Sequence, residues 1–206
     1  MQKLLLQYDV ILNGKFSLKR LNFIFVFQVN CPGCFLYGFP LVNQLYKDFA
    51  QNISFLGIST AFEDFDLNNE KNTRLLLEHK EVVGETKKTL HLQGLQNFPL
   101  PIDFPIVMDK KADASFDYDL ATVQLCKLHP YFSAWSESEQ TAFVQNALKY
   151  LKGQESISLT FTLNQLRGTP TFLLITDTCE ILYHSFGHVD HLELQRQLNH
   201  FVDKLN

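Results

Sequence analysis

The stretch Cys31-Pro32-Gly33-Cys34 constrains this chain more than any other. It follows the apolar run Phe23-Ile24-Phe25-Val26-Phe27-Gln28-Val29, broken only by Gln28, and precedes Leu41, Leu45 and Phe49 at helical spacing. The run reads as a strand buried on both faces, and Cys34 to Ala50 as a helix that Pro40 should kink. A cysteine pair at a strand-to-helix junction suits dithiol–disulfide exchange. The first sulfur lies at the helix N-terminus, where free N–H groups and the helix dipole favour thiolate over thiol. The second lies about one turn further on, placed to displace a mixed disulfide. The bland alternatives are a structural disulfide or half of a zinc site. Zinc needs two more ligands, and no second Cys-x-x-Cys or His-x-x-x-His pair stands near in sequence.

Strands and helices continue to alternate downstream. Val10 to Leu18 looks like two extended segments joined at Asn13-Gly14, a hairpin signal. Ile53 to Ser59 reads as the next buried strand, Asn69 to Lys80 as a helix carrying Leu75, Leu76 and Leu77, and Phe104 to Asp109 as a short strand. Residues 111–155 form a separate block, in which the capping box Ser136–Glu139 precedes Phe143, Ala147, Tyr150 and Leu151 at helical spacing. Its Tyr131, Phe132 and Trp135 would serve as interface anchors, or, as we expect, pack against the parent sheet. Gly168–Ile175 and Glu180–His184 read as strands around a turn at Thr176-Asp177-Thr178. Asp190 to Glu193 then caps a helix with Leu194, Leu198, Phe201, Val202 and Leu205 on its buried face. The layout is α/β, one domain over residues 1–206 with a helical insertion at about 111–155.

Composition narrows the function classes. Hydrophobic residues make up 46% with 19 phenylalanines, and charged residues only 19%, so a large core is available and disorder is not expected. A net charge of −4 without a basic patch argues against nucleic acid or an anionic membrane as partner. The cysteines at 31, 34, 126 and 179 do not make the framework of a small secreted domain. Cys126 and Cys179 read as spectators, the first as a buried small hydrophobe. The three-leucine run after Lys3 is stopped by Gln7 and Asp9, so no signal-peptide core forms, and no window is apolar enough to span a membrane. These features lead to the expectation of a soluble cytoplasmic protein.

The order strand–CxxC–helix, followed far downstream by Gly168-Thr169-Pro170-Thr171 before an apolar strand, resembles the thioredoxin superfamily. The early Asn13-Gly14-Lys15-Phe16-Ser17-Leu18, the stretch Phe55 to Asp64 and the close at His184 to His188 are similar to the TlpA-like and redoxin (AhpC/TSA) branch. The resemblance implies a thioredoxin fold: a central mixed sheet flanked by helices, here with an N-terminal β-hairpin. It also implies that Thr169–Pro170 is cis, packs beside the cysteines and pairs its backbone with a bound substrate. Pro32, Gly33, Thr169 and Pro170 are then the substrate-binding residues, and Cys31 and Cys34 the nucleophile and the resolving thiol.

Departures from the pattern fall around the site. Asn30 stands where such proteins usually have Trp, Phe25 where thioredoxins bury an acid, and Tyr37 where the TlpA-like site often has Glu. Pro40 is six rather than five residues after Cys34, from which we infer one extra residue in the helix, a π-bulge near Gly38. Glu63, Asp64 and Tyr37 are the candidates for a substitute proton relay; the bland reading of Glu63 and Asp64 is a solvated loop. The histidines at 184, 188 and 191 lack a metal-binding spacing, because Gly187 and Asp190 mark a strand end and a helix cap. The peroxiredoxin pattern Pro-x-x-x-(Thr/Ser)-x-x-Cys fits neither cysteine: Ile24 and Gln28 stand at its positions for Cys31, Phe27 and Cys31 for Cys34. Arg167 alone matches that family's arginine, and thioredoxins share it.

The expected activity is thiol–disulfide exchange, a reductase running on the Cys31/Cys34 couple. Its substrate would be a disulfide-bearing protein or small molecule and its electron donor of thioredoxin type, with no metal, flavin or nucleotide cofactor. The rivals are an antioxidant peroxidase, with a sulfenic acid on Cys31 resolved by Cys34, and a non-catalytic binding module switched by the same thiols.

Overall fold

The computed structural model describes residues 2–205, without the Leu205 side chain, so its expected burial and any reading of Met1 lie outside the described residues. The strands are β1 (Tyr8–Asn13), β2 (Leu21–Phe27), β3 (Ser54–Ser59), β4 (Ile106–Asp109), β5 (Thr171–Thr176) and β6 (Ile181–Phe186). They form one six-stranded sheet in the order β1-β4-β3-β2-β5-β6. The centre β2–β3–β4 is parallel, and the pairs β1–β4, β2–β5 and β5–β6 are antiparallel. Helices α1 (Phe39–Phe49), α2 (Glu70–His79), α3 (Gly84–Leu92), α4 (Tyr118–Lys127), α5 (Glu137–Lys152), α6 (Leu159–Leu163) and α7 (His191–Leu205) connect and flank them. A π-helical segment, Cys34–Gly38, leads directly into α1.

Every residue of β2 is buried, Asn22 included, as the apolar run Phe23–Phe27 predicts. Side chains alternate across a strand, so the run divides into two chemistries. Phe23, Phe25 and Phe27 face α1 and α7, packing with Phe39, Val42, Leu45, Leu194 and Leu198. Ile24 and Val26 point the other way, toward Leu56, Ile58, Phe161, Leu173 and Ile175. Phe25 stacks on Phe172 at 5.5 Å and meets Phe39 edge-on at 5.1 Å. Burial of each such ring stabilises the fold by about 1.5–3 kcal/mol.

The expected hairpin at Asn13-Gly14 is corrected. Gly14 does turn the chain, with φ at +72°, but no strand follows before β2, and β1 pairs instead with β4 at the sheet edge. A Cβ on Gly14 would lie 3.2 Å from Pro105, so this glycine also lets the chain pass close to the start of β4. A local turn preference thus served a non-local pairing. Before β1, residues 2–7 form a strap across α6 and the start of β6. Leu4 N–H donates to the Cys179 carbonyl (2.8 Å), Leu5 N–H to Asn164 Oδ1 (2.8 Å), and the Thr160 hydroxyl to the Gln7 carbonyl (2.6 Å).

The β5–β6 hairpin forms at the expected turn, with Thr176 Oγ1 accepting from the Thr178 and Glu180 N–H groups (3.3 and 3.1 Å). Asp190 Oδ1 accepts from Glu193 N–H at the start of α7 (2.8 Å), and Asn69 Oδ1 from Asn72 N–H at the start of α2 (3.0 Å). The capping box Ser136–Glu139 is formed at α5. The aromatic anchors near it do not pack on the sheet as expected. Trp135 packs against His129, Phe132 and Phe143 within its own helical region, and Tyr131 is exposed. Phe143 and Tyr150 are likewise exposed, and of α5 only Leu151 is buried. Helix α3 was not legible in the sequence, because Leu90 is its one buried apolar residue.

At the end of β4 the buried Asp109 ties three elements together. Its carboxylate accepts from the Thr60 hydroxyl after β3 (2.8 Å) and from the Thr160 and Phe161 N–H groups at the start of α6 (2.8 and 3.0 Å). Burial pushes this carboxyl up to about 6, although all three donors pull it down.

Candidate active site

The C-terminal end of β2 delivers Gln28, Val29 and Asn30 to the Cys31–Cys34 turn. Cys31 is half-buried and Cys34 wholly buried, with the two sulfurs 2.6 Å apart and the Cys34 thiol directed at Cys31 Sγ. The Cys34 N–H also donates to Cys31 Sγ (3.2 Å), as the free amides of a helix start should. Chiefly through the hydrogen bond from Cys34, and against the effect of burial, the Cys31 thiol is lowered from 9.0 to about 7. Burial pushes Cys34 well above the ordinary thiol range, reinforced by its bond to Cys31 and that sulfur's charge. One thiol is therefore an accessible nucleophile near neutrality. The other holds its proton until something removes it.

The helix behind the dithiol carries the inferred extra residue. Across Cys34–Gly38 the backbone is π-helical, the Phe39 N–H reaching back to the Cys34 carbonyl. Pro40 then falls in the first turn of α1, where its missing N–H costs nothing, so it continues the helix instead of kinking it. The π segment also presents Gly38 to Phe25: a Cβ there would lie 2.8 Å from the ring and 3.4 Å from Pro170. The Phe25 ring fills the place where thioredoxins carry an acid, and only glycine fits against it.

Thr169–Pro170 is cis and lies beside the cysteines. The Thr169 carbonyl accepts from the Cys31 thiol (3.5 Å), and a Cβ on Gly33 would stand 3.7 Å from the Pro170 ring. Pro32, Gly33, Thr169 and Pro170 are thus brought together around Cys31. A groove beside them runs between Tyr37 and Leu41 on one side and Gly187 and His188 on the other.

The candidates for a proton relay are not brought to the sulfurs. Tyr37 is half exposed and packs on His188 (4.9 Å). Asp64 accepts from Asn30 Nδ2 (2.8 Å), and Glu63 contributes its backbone carbonyl, to Gln28 Nε2 (3.4 Å) and Asn68 Nδ2 (2.9 Å). None of the three side chains hydrogen-bonds either thiol. Of the remaining cysteines, Cys126 is buried in α4 and Cys179 sits half-buried in the β5–β6 turn.

Two residues to which the sequence alone assigns no role, Asn30 and Gln28, hold the site. Asn30 accepts at Oδ1 from Glu85 N–H at the start of α3 (2.7 Å), while its own N–H donates to Asn68 Oδ1 (2.9 Å). Gly84, at φ +52°, leaves the space this requires, since a Cβ there would overlap the Asn30 side chain. Gln28 is the second: its buried carboxamide spans from Glu63 to the Thr169 hydroxyl, which donates to Oε1 (3.3 Å). Its signal in the sequence is the one polar residue that interrupts the apolar run Phe23–Val29.

A sheet of this order, with a dithiol after its central parallel strand and a cis-proline packed beside it, defines a thioredoxin-like fold. Solved structures match it over nearly the whole chain. A thioredoxin-like superfamily protein is 20% identical over 98% of this chain and 97% of its own, with a TM-score of 0.57. A thiol-disulfide isomerase from Corynebacterium glutamicum is 18% identical over 98% of this chain and 96% of its own, with a TM-score of 0.60. No protein-family profile and no curated protein matches the sequence. The matched structures establish the thioredoxin-like fold and leave the redoxin branch unsupported.

The cytoplasmic placement is corrected. Net charge and the lack, among the described residues, of a helix long and apolar enough to cross a membrane do not discriminate between compartments.

Proposed function

We propose that this protein is a thiol–disulfide oxidoreductase that acts as a reductase through Cys31 and Cys34. The observation that carries the reading is the unequal pair: Cys31 brought to about 7 and accessible, Cys34 buried, raised and 2.6 Å away. The Cys31 thiolate attacks one sulfur of a substrate disulfide, forming a mixed disulfide and expelling the other sulfur as thiolate. Cys34 loses its proton to that leaving thiolate or to water and attacks Cys31 Sγ. The second substrate thiolate leaves, and the protein holds a Cys31–Cys34 disulfide. Two electrons have passed to the substrate, and a dithiol protein donor of thioredoxin type restores the pair. The substrate segment would lie in the groove between Tyr37 and His188, its backbone against Thr169.

The reading is tested with Cys34→Ser, which should trap the mixed disulfide on Cys31, and with Cys31→Ser, which should form none. If the wild-type protein, supplied with a dithiol reductant, reduces no protein or small-molecule disulfide above background, the proposal is wrong. Consumption of hydrogen peroxide that depends on Cys31 would instead favour the peroxidase.

A further inference from the structure

The sheet face turned away from the dithiol carries a cleft of about 380 Å³, where α5, the end of α4 and α6 come together. Phe161 and Leu166, two of its lining residues, pack with Ile24 and Val26, whereas Cys34 lies with Phe25 and Phe27 on the opposite face. Four rings line it: Phe62 after β3, Phe161 in α6, and Phe143 and Tyr150 in α5. Phe62 already stacks on Phe161, with 4.0 Å between centroids and 9° between planes, while Phe143 and Tyr150 remain exposed. Among the described residues no Asp, Glu, Lys, Arg or His side chain lines the cleft. Its polar groups are neutral, and several lack a partner. Cys126 is 2% exposed and its thiol makes no hydrogen bond among the described residues. The carboxamides of Gln154 and Gln165 use one N–H each on the Tyr150 and Leu125 carbonyls (3.3 and 3.2 Å), which leaves both their oxygens free to accept.

We propose that this cleft is a binding site for a small neutral aromatic molecule that carries a hydroxyl or N–H at one edge. Each part of that description follows from the lining. A charged ligand would lose its water against rings that offer no counter-charge, so the ligand is neutral. A flat ring extends the existing Phe62–Phe161 stack and gains a ring–ring attraction that an alkyl chain of equal area lacks. A donor at its edge answers the free oxygens of Gln154 and Gln165, and the buried Cys126 sulfur is a weak acceptor for the same kind of group. The cleft is concave and of the size that encloses small molecules, mostly apolar with a few polar groups to fix orientation, so a ligand suits it better than a partner protein. Its walls come from α5 and from the segments after β3 and α6, so the site exists only where the helical region is docked on the sheet. It lies apart from the dithiol and needs none of the chemistry proposed there.

The experiment titrates the full chain with 2-naphthol, a phenol that is neutral at pH 7, and with two matched probes. One is 2-naphthoate, the same ring with a carboxylate; the other is 1-decanol, an alkyl chain with the same hydroxyl. Binding is read by equilibrium dialysis for wild type, Ala147→Trp and Phe143→Ala, each checked for folding by circular dichroism. Ala147 lines the cleft from α5, and a tryptophan there fills it. Wild type should bind one 2-naphthol per chain, saturably, with 2-naphthoate about tenfold or more weaker and 1-decanol about threefold or more weaker. Ala147→Trp should weaken 2-naphthol by about tenfold or more, since the space is taken, and Phe143→Ala by about threefold, since one ring is lost. Absence of saturable 2-naphthol binding up to its solubility limit overturns the proposal. So does unchanged binding in folded Ala147→Trp, which would put the probe elsewhere, the groove beside Cys31 included. Should Ala147→Trp not fold, unchanged binding in Phe143→Ala has the same force. Equal binding of 2-naphthoate or 1-decanol overturns the stated chemistry of the ligand. Self-association of the wild type that Ala147→Trp abolishes, with no 2-naphthol bound, assigns the face to a second copy of the chain instead. None of these outcomes bears on the dithiol reading, which stands or falls on disulfide reduction that depends on Cys31.

Discussion

The dithiol end of the sheet and the α4–α5 helical region are built to different tolerances. Around Cys31 and Cys34, rings and glycines meet at contact distance, with Gly38 against Phe25 and Gly33 against Pro170. Polar groups there have assigned partners, as Gln28 and Asn30 show. In α4–α5, by contrast, Leu120, Leu128, Tyr131, Phe143 and Tyr150 remain exposed, and the local core reduces to a small cluster around Ala121, Leu151 and Ile157. The difference locates the chemistry. Thiol reactivity depends on tenths of an ångström in hydrogen bonding, whereas a helical pair needs only enough burial to stay attached.

The sharpest test of this contrast is Cys31→Ser, expected to bring disulfide reduction to background while leaving the thermal midpoint nearly unchanged. Next in size, Leu151→Ala should cost about 2–5 kcal/mol in denaturant unfolding, because a wholly buried leucine leaves a cavity. The thiolate midpoint of Cys31 should stay where it is. Gly38→Ala is the counterpart: overpacking against Phe25 should cost about 1–3 kcal/mol, and here the midpoint should move with stability. An unmoved midpoint in that variant, or a moved one in Leu151→Ala, would erase the distinction between the two regions. Iodoacetamide alkylation of wild-type Cys31 should rise with pH through about 7 and then level off, since the reactive thiolate forms there and not near 9.0. Smallest of all, Tyr131→Ala should change stability by no more than about 0.5 kcal/mol, as an exposed side chain with little packing.

What was legible in the sequence follows the same division. The strand leading to Cys31, the turn, the extra residue before Pro40 and the Thr169–Pro170 segment could all be read, since each is a local pattern with one structural solution. The partner of β1 could not, because Asn13-Gly14 specifies a turn and says nothing about which strand takes the freed edge. Helix α3 escaped notice for want of an apolar stripe. Tyr131 and Trp135 misled, since aromatic content alone does not say which neighbour a ring will find. Gln28 and Asn30 were visible only as an interruption and a substitution. Their roles depend on Glu63, Asn68, Glu85 and Thr169, residues that sequence spacing does not connect.

The strap formed by residues 2–7 has a consequence for the order of assembly. Its hydrogen bonds to Thr160 and Asn164 join residues separated by 153 and 159 positions. During synthesis the strap therefore leaves the ribosome well before Thr160 and Asn164 and finds its place only once they have been made. A nascent chain halted before α6 has no site for the strap and leaves the β1 side of the sheet unfastened. Contacts that span so much of the chain close late, which makes folding of this protein slow relative to its size and exposes that edge during the delay.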